Sequence, residues 1–328
     1  MIKTALVGYG WWGQHMARLL RDSRFFELSG IYAPELAGES EIDGIPIYSS
    51  MQALLNDGET AAVILTSPNL LHEEQAVAAA EAGKHVFCEK PLSLTAASAG
   101  RIVATCANAG RVLAVGHERR FEPAMQRVAE LVRSQSLGTI MHAEAAFSHD
   151  KLATLDQENW RAKKATAPAA GMTGMGIHLT DFFIWMFGPV KTVQALTADR
   201  TLGWETGDLV TVQLQFEAGM TATLSAILNT PHFIRYHVFG SDKWVEVRND
   251  THPDTPGGEA HLCLSESGRE MQFEHYPWTD TVSDNLNSFA KAIAGEAPYP
   301  FSDFELRHNI EVLEAIIQSA DTGETVRL

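Results

Sequence analysis

The 328-residue chain has few cysteines, few positive charges and no long apolar runs. Its three cysteines, Cys88, Cys106 and Cys263, form no C-x-x-C pair, so we expect reduced thiols in a cytoplasmic protein and no disulfide framework. Only 25 Lys and Arg accompany 41 Asp and Glu, and the net charge of −16 argues against nucleic acid or a membrane surface as partner. No apolar run approaches the roughly 18 residues of a membrane-spanning helix, and no signal peptide is expected.

The first third of the chain instead alternates short apolar runs with segments of helical periodicity. Strands are predicted over residues 2–7, 28–32, 61–66, 86–89 and 112–115, and helices over 12–21, 72–82 and 95–109. This alternation predicts βαβ units and a doubly wound parallel sheet of the α/β class. At about 150 residues per domain the length indicates two domains. We place them at residues 1–120 and 121–328.

Strands dominate after residue 121. Apolar residues at every second position of 210–216 and 220–228 predict a hairpin with one packed face, joined at Glu217-Ala218-Gly219. Further strands are predicted over residues 141–147, 236–239, 245–247, 262–264 and 271–273. Helices are predicted over residues 124–133 and 177–187. Two stripes of apolar residues at helical spacing predict two more helices near the C-terminus. The second domain is therefore predicted to carry a sheet of paired strands.

A glycine-rich turn, Gly8-Tyr9-Gly10-Trp11-Trp12-Gly13, follows the first strand and opens the first helix. In the G-x-G-x-x-G pattern the first glycine permits a tight turn, the second lets a pyrophosphate approach the backbone, and the third lets helix and strand pack closely. The motif predicts a dinucleotide site; the alternative is a glycine turn that serves packing alone. Trp11 and Trp12 either cover the cofactor or pack against the protein.

The choice between NAD and NADP stays open in the sequence. An NAD site often places Asp or Glu at the end of the second strand to hold the ribose hydroxyls, whereas this chain has Ala33-Pro34-Glu35. Glu35 can hold the ribose hydroxyls only if the loop after the second strand curls back toward the cofactor site. No Arg follows the strand directly to bind a 2′-phosphate.

Two side chains are candidates for moving a proton. Lys90 follows a predicted parallel strand, at the edge where ligands collect in open α/β sheets. The alternative for Lys90 is a solvated side chain before a turn proline. His178 stands near the start of a predicted helix, and its alternative is a core histidine bonded to Asp181. His261 and Cys263 have no partner at metal-ligand spacing, so no metal site is expected.

Four segments in this order resemble the Gfo/Idh/MocA oxidoreductases, the relatives of glucose–fructose oxidoreductase and inositol dehydrogenase. They are residues 66–72 (TSPNLLH), 82–91 (AGKHVFCEKP), 116–121 (GHERRF) and 176–181 (GIHLTD). The similarity extends over nearly the whole chain, to residues 320–323. It implies an N-terminal Rossmann domain and a C-terminal α/β domain with a large, mostly antiparallel open sheet. In relatives that sheet often pairs subunits, so a homodimer or homotetramer is expected.

The resemblance also implies roles for single residues. Lys90 and His178 would be catalytic, and Lys90–Pro91 would be a cis bond. Substrate would meet Lys90, Arg119, His178 and Asp181. The cofactor, NAD or NADP, would be bound by Gly8, Gly10, Trp11, Trp12, Gly13, Thr66, Ser67, Pro68, Asn69, His72, Glu89, Lys90, Arg119, Trp160 and Arg161.

One position departs from the family. Relatives that oxidise cyclitols and sugars often carry Asp four residues before the histidine, where this chain has Gly174. That leaves Lys90 as the stronger candidate for proton transfer. We therefore expect an NAD(P)-dependent oxidoreductase acting on a sugar, a cyclitol or another small secondary alcohol or carbonyl. The alternatives are a non-catalytic dinucleotide sensor and an NAD-assisted glycoside hydrolase.

Overall fold

The computed structural model describes residues 1–252 and 254–328, which form two compact units. One consists of residues Met1–Gly116 and Ser283–Ile310, and the other of residues His117–Val282 and Glu311–Leu328. The division near residue 117 lies close to the predicted boundary at 120. The sequence did not indicate that residues 283–310 belong with the N-terminal part.

The N-terminal part of the first unit is a series of alternating strands and helices. They are β1 (Ile2–Val7), α1 (Trp11–Asp22), β2 (Phe26–Tyr32), β3 (Glu41–Ile42), β4 (Ile45–Pro46), α2 (Met51–Asn56), β5 (Ala62–Leu65), α3 (His72–Glu81), β6 (His85–Cys88), α4 (Ala96–Asn108) and β7 (Leu113–Val115). Five strands form a parallel sheet in the order β2-β1-β5-β6-β7. The predicted doubly wound sheet is confirmed. Its order reverses between β1 and β5, the point where such sheets bind ligands.

The remaining elements follow in chain order. They are α5 (Pro123–Arg133), β8 (Ile140–Ser148), α6 (Gly176–Phe187), β9 (Val190–Ala198), β10 (Leu209–Phe216), β11 (Thr221–Ile227), β12 (Phe233–Gly240), β13 (Lys243–Asn249), β14 (Glu259–Glu266), β15 (Gln272–Pro277), α7 (Thr281–Ile293), α8 (Asp303–Thr322) and β16 (Val326–Arg327). Nine strands form one sheet in the order β15-β14-β13-β12-β8-β11-β10-β9-β16. Its neighbours are antiparallel except β8 and β11, which confirms the large, mostly antiparallel sheet.

Helix α7 completes the core of the first unit. The ring of Phe289 lies 6.1 Å from that of Phe26 and 5.8 Å from that of Phe87, so it packs beneath two strands of the parallel sheet. The Asn285 amide donates a 2.8 Å hydrogen bond to the Val115 carbonyl at the end of β7. These contacts explain why residues 283–310 join a unit that lies far away in the sequence.

The nine-stranded sheet has one buried face and one open face. Val210, Val212 and Leu214 on β10 are buried, and Thr211 and Gln213 point the other way, which confirms the predicted alternation. The hairpin of β10 and β11 is also confirmed, whereas β9 was not among the predicted strands. Pairing of copies through the open face stays a prediction. Among the described residues no helix is both long and apolar enough to cross a membrane.

Candidate active site

In the glycine turn after β1, Gly8 and Gly13 stand at positions where a side chain would strain the backbone or clash with it. Gly8 has φ +90°, a conformation that favours glycine, and its N–H donates a 2.8 Å hydrogen bond to the Tyr32 carbonyl. A Cβ added to Gly13 would lie 2.3 Å from the carbonyl oxygen of Gly8. Helix α1 and strand β1 therefore approach as closely as the motif predicts.

Gly10, in contrast, faces open space: a Cβ added there would have no atom within 4 Å. It is the N-cap residue of α1, and no side chain caps the helix at this end. The first N–H groups of α1 and its positive dipole end are therefore available to an anion. Open space beside uncapped N–H groups fits the pyrophosphate of a dinucleotide.

The segment after β5 is tied to the glycine turn. The Thr66 hydroxyl lies 3.0 Å from the carbonyl oxygen of Val7 and 2.9 Å from that of Gly8. The Nε2 atom of His72 lies 2.9 Å from the carbonyl oxygen of Ser67, and its Nδ1 atom lies 2.8 Å from the carbonyl oxygen of Pro91. Burial lowers the pKa of His72. This side chain joins the loop after β5 to the loop after β6, so it holds the predicted cofactor segment in place.

Glu89 and Lys90 follow β6 at the same edge of the parallel sheet. Glu89 is buried, and burial raises its pKa, while the Trp12 indole and Lys90 act in the opposite direction. Gly116 makes room for the carboxyl group, since a Cβ there would lie 2.4 Å from Glu89 Oε2. Lys90 is half-buried, and the bond to Pro91 is cis, as the resemblance implied. One edge thus brings together the glycine turn, the loop after β5 and the candidate lysine.

Glu35 and Trp11 lie at the glycine turn. Glu35 curls back toward the glycine turn, and its Oε1 accepts a 3.3 Å hydrogen bond from the Tyr9 N–H. Trp11 is 53% exposed, and its ring lies 5.2 Å from that of Trp12. The carboxylate that the sequence left uncertain is therefore next to the turn.

The second unit contains a buried group of histidine and carboxylate side chains around His178. His178 Nδ1 lies 3.4 Å from His117 Nδ1 and 3.7 Å from Glu118 Oε2. All three side chains are almost inaccessible to solvent. A Cβ on Gly174 would meet no atom within 4 Å, so the missing family carboxylate is not excluded by space. Glu118 supplies a carboxylate next to the histidine from a different part of the chain.

Arg119 lies beside this group and is 1% exposed. Its guanidinium forms an ion pair with Glu122 and stacks 4.7 Å above the ring of Phe147. Asn249 holds the other oxygen of Glu122 at 3.2 Å. The residue predicted to meet cofactor and substrate is thus fixed by a carboxylate, an amide and an aromatic ring.

Sequence reasoning missed two further histidines of this unit. The ring of His252 lies 5.5 Å from that of Phe147 and 5.3 Å from that of His149. His252 Nδ1 also lies 2.7 Å from Asp254 Oδ1. Burial lowers the pKa of His252 to about 3, so the ring is neutral at pH 7. Loop histidines of this kind carry no periodicity, and only an aligned family would have revealed them.

Asp181 is held by Arg120 through two hydrogen bonds. Arg120 Nε and Nη2 donate to the two carboxylate oxygens at 2.8 and 2.7 Å, and both side chains are buried. A bidentate pair of this kind fixes α6 against the segment before α5. The geometry therefore supports a positioning role for Asp181, in place of the direct substrate contact and the His178 pairing considered from the sequence.

Substitution of Asp181 by Asn distinguishes these roles. It leaves Arg120 as a buried charge without its carboxylate, and we expect the free energy of unfolding to fall by about 3 kcal/mol. Urea denaturation measures the change. Asp321→Asn is the matched control, because its 2.6 Å pair with Lys164 is exposed and contributes at most about 1 kcal/mol. If Asp181→Asn keeps its stability and loses substrate affinity, Asp181 is a substrate ligand after all.

The last predicted cofactor residues, Trp160 and Arg161, form a stacked pair. The guanidinium of Arg161 lies 4.1 Å above the Trp160 ring, and burial lowers the pKa of Arg161 to about 10. The side chain remains a cation at pH 7. Its predicted contact with the cofactor stays a prediction.

The parallel sheet with its phosphate-binding turn defines a dinucleotide-dependent enzyme class. Residues 2–117 match the family model described as "Oxidoreductase family, NAD-binding Rossmann fold", and residues 125–246 match the "GFO/IDH/MocA C-terminal domain". The chain therefore belongs to the Gfo/Idh/MocA oxidoreductase family, as the sequence motifs indicated. Its cofactor is a nicotinamide dinucleotide, NAD or NADP.

Three relatives illustrate the similarity. D-xylose 1-dehydrogenase (NADP(+)) 2 of Haloferax volcanii is 31% identical over 87% of this chain and 86% of its own. The 2,7-anhydro-N-acetylneuraminate hydratase of Mediterraneibacter gnavus is 25% identical over 98% of this chain and 88% of its own. The structure of aldose-aldose oxidoreductase from Caulobacter crescentus, complexed with glycerol, has a TM-score of 0.85 at 25% identity and covers 100% of this chain and 99% of that chain.

Proposed function

We propose that this protein is an NAD(P)-dependent dehydrogenase or reductase acting on a CH–OH group of a sugar or cyclitol. The observation that carries the proposal is the common position of the glycine turn and Lys90 at one edge of the parallel sheet. A nicotinamide dinucleotide bound there would supply the hydride acceptor or donor for such a reaction. A side chain that exchanges the accompanying proton is then required, and Lys90 is of the right type and place.

Lys90 acts on the substrate oxygen in this proposal. In oxidation its neutral amine takes the proton from the hydroxyl as the adjoining carbon loses hydride; in reduction its ammonium returns that proton. Glu89, adjacent in sequence and buried, orients the lysine backbone, since its Oε2 accepts a 3.2 Å hydrogen bond from the Lys90 N–H. Burial raises the pKa of Glu89, and the neighbouring Lys90 acts in the opposite direction.

The histidine group of the second unit is assigned to substrate binding. His117, His149, His178 and His252 offer hydrogen-bond donors and acceptors, and Glu118 offers an acceptor; all are buried except His252, which is partly exposed. Such a mixture suits a polyhydroxylated molecule, whose hydroxyls both donate and accept. In this proposal Glu118 supplies the carboxylate beside His178 that the glycine four residues before the histidine cannot supply.

The substrate class follows from this group and from the relatives' names. A D-xylose dehydrogenase at 31% identity and an aldose–aldose oxidoreductase fold both favour an aldose or a polyol of similar size. The cofactor preference we propose is NAD, because Glu35 lies next to the glycine turn, where a carboxylate suits ribose hydroxyls and repels a 2′-phosphate.

A panel of aldoses, cyclitols and small polyols, assayed with NAD and NADP in parallel, tests the proposal. We expect formation of reduced nicotinamide, measured by its near-ultraviolet absorbance, with D-xylose or a related pentose or hexose, and a lower KM for NAD than for NADP. Aromatic diols and 2-hydroxy acids serve as negative controls. Turnover of the control compounds without turnover of any sugar would contradict the substrate class. The absence of any absorbance change with every compound of the panel would contradict net redox chemistry.

Redox-neutral use of a bound dinucleotide is the second candidate. It is favoured by the hydratase of Mediterraneibacter gnavus, which aligns with almost the whole chain. The same panel separates the two, because this chemistry changes the sugar without net formation of reduced nicotinamide. Product analysis of the panel by mass spectrometry detects that outcome.

A further inference from the structure

Two histidines and a carboxylate converge on the open face of the nine-stranded sheet, and none of the three is assigned a role above. His261 on β14 and His275 on β15 stand directly opposite each other in the antiparallel register. Their Nδ1 atoms lie 2.9 Å apart, and His275 Nδ1 lies 3.6 Å from Glu259 Oε2. One ligand atom from each of the three residues lies within 4.8 Å of the other two.

Asp250 orients this group. Its Oδ1 lies 2.9 Å from His261 Nε2. A carboxylate oxygen accepts hydrogen bonds and donates none, so His261 carries its hydrogen on Nε2 and donates it to Asp250. The lone pair of His261 Nδ1 is therefore directed toward His275. A carboxylate that fixes the second ring nitrogen of a histidine is the usual support of a metal-binding imidazole.

We propose that Glu259, His261 and His275 bind a divalent transition-metal ion such as Ni²⁺ or Zn²⁺, with Asp250 as the supporting carboxylate. Two nitrogens bound at about 2.1 Å to an ion of square-planar or tetragonal geometry such as Ni²⁺, with an angle of about 90° at the metal, lie about 3 Å apart; tetrahedral Zn²⁺ requires them to separate to about 3.4 Å. The observed separation of 2.9 Å matches the first value. On binding, His275 carries its proton on Nε2, and water completes the coordination of this accessible site.

Charge around the cluster favours a dication. Asp250 and Glu259 each contribute a carboxylate within the group. Arg248 stands opposite His261 on β13, and Glu246 holds its guanidinium at 2.9 Å. The imidazole ligands select against Mg²⁺ and Ca²⁺, which prefer oxygen atoms. The local spacing of His261 along the chain did not reveal the site, because its partner comes from the neighbouring strand.

Calorimetric titration of the full, tag-free chain with Ni²⁺ and Zn²⁺ tests the proposal, with Mg²⁺ as the comparison ion. We expect one site per chain for the transition metals and none for Mg²⁺. His275→Gln and His261→Gln should each weaken binding at least about 100-fold, and Asp250→Asn about 10- to 100-fold. Thermal unfolding of each variant checks that it is folded.

His142→Gln is the matched control. His142 lies on the same sheet, its Nδ1 is 2.8 Å from the Thr221 hydroxyl, and it belongs to no part of the cluster. Its replacement should leave the affinity unchanged. The proposal is overturned if the wild-type chain shows no saturable binding, or if His275→Gln and His142→Gln alter the affinity equally.

Discussion

Replacing Lys90 with methionine is expected to lower kcat about a thousandfold, because the substrate oxygen then has no group to exchange its proton. Methionine keeps most of the unbranched, apolar stem of the lysine side chain and removes the amine. Dinucleotide affinity should fall far less than kcat, because Lys90 is only one of the predicted cofactor residues and the glycine turn is untouched. Steady-state kinetics with the best substrate of the panel, together with calorimetry of cofactor binding, measures both quantities.

Lys191→Met is the control for the loss of one lysine. Lys191 lies on β9 in the second unit, 4.0 Å from Glu217 and partly exposed, and no role in the site is assigned to it. It should retain wild-type kcat and KM. A Lys90→Met protein with near-normal turnover would remove the acid–base role and leave the cofactor assignment intact.

Replacing Gly10 with alanine is expected to weaken dinucleotide binding about a hundredfold, or about 2.7 kcal/mol, with little loss of stability. The new methyl group meets no protein atom, so folding tolerates it apart from a helix-cap cost of up to about 1 kcal/mol. It occupies the open space that the pyrophosphate must enter. Calorimetry with NAD and chemical denaturation of the same preparation measure the two effects separately.

Gly13→Ala and Gly100→Ala are the comparison variants for Gly10→Ala. A Cβ on Gly13 clashes with the backbone of Gly8, so we expect a loss of several kcal/mol in stability as well as in binding. Gly100 lies inside α4, where a Cβ meets no atom within 4 Å, and alanine there should stabilise the helix by about 0.5–1 kcal/mol. Unchanged affinity in Gly10→Ala would show that the pyrophosphate does not lie against this turn.

Local patterns were sufficient to predict the parallel sheet and its glycine turn. The strands of that sheet are buried on both sides, so they appear in the sequence as short apolar runs, and Thr95 and Gly110 mark the ends of α4. The hairpin of β10 and β11 was equally clear from its period of two. Such features depend on neighbours within about ten residues.

The features that the sequence did not reveal depend on distant neighbours. Glu118 meets His178 and His261 meets His275 only after strands and helices have paired, and no spacing along the chain encodes those contacts. Strand β9 alternates too weakly to stand out, and its pairing with β10 defines it. For the same reason the family resemblance named His178 but gave no sign of the carboxylate beside it.

The return of α7 to the first unit has a consequence for the order in which the protein can be assembled on the ribosome. The aromatic side chain of Phe289 lies between those of Phe26 and Phe87, which are synthesised more than 200 residues earlier. Until nearly the whole polypeptide has emerged, the nascent sheet keeps an uncovered apolar surface. A chaperone that shields this surface during translation, or rapid completion of synthesis, would then decide how much of the enzyme reaches its native state.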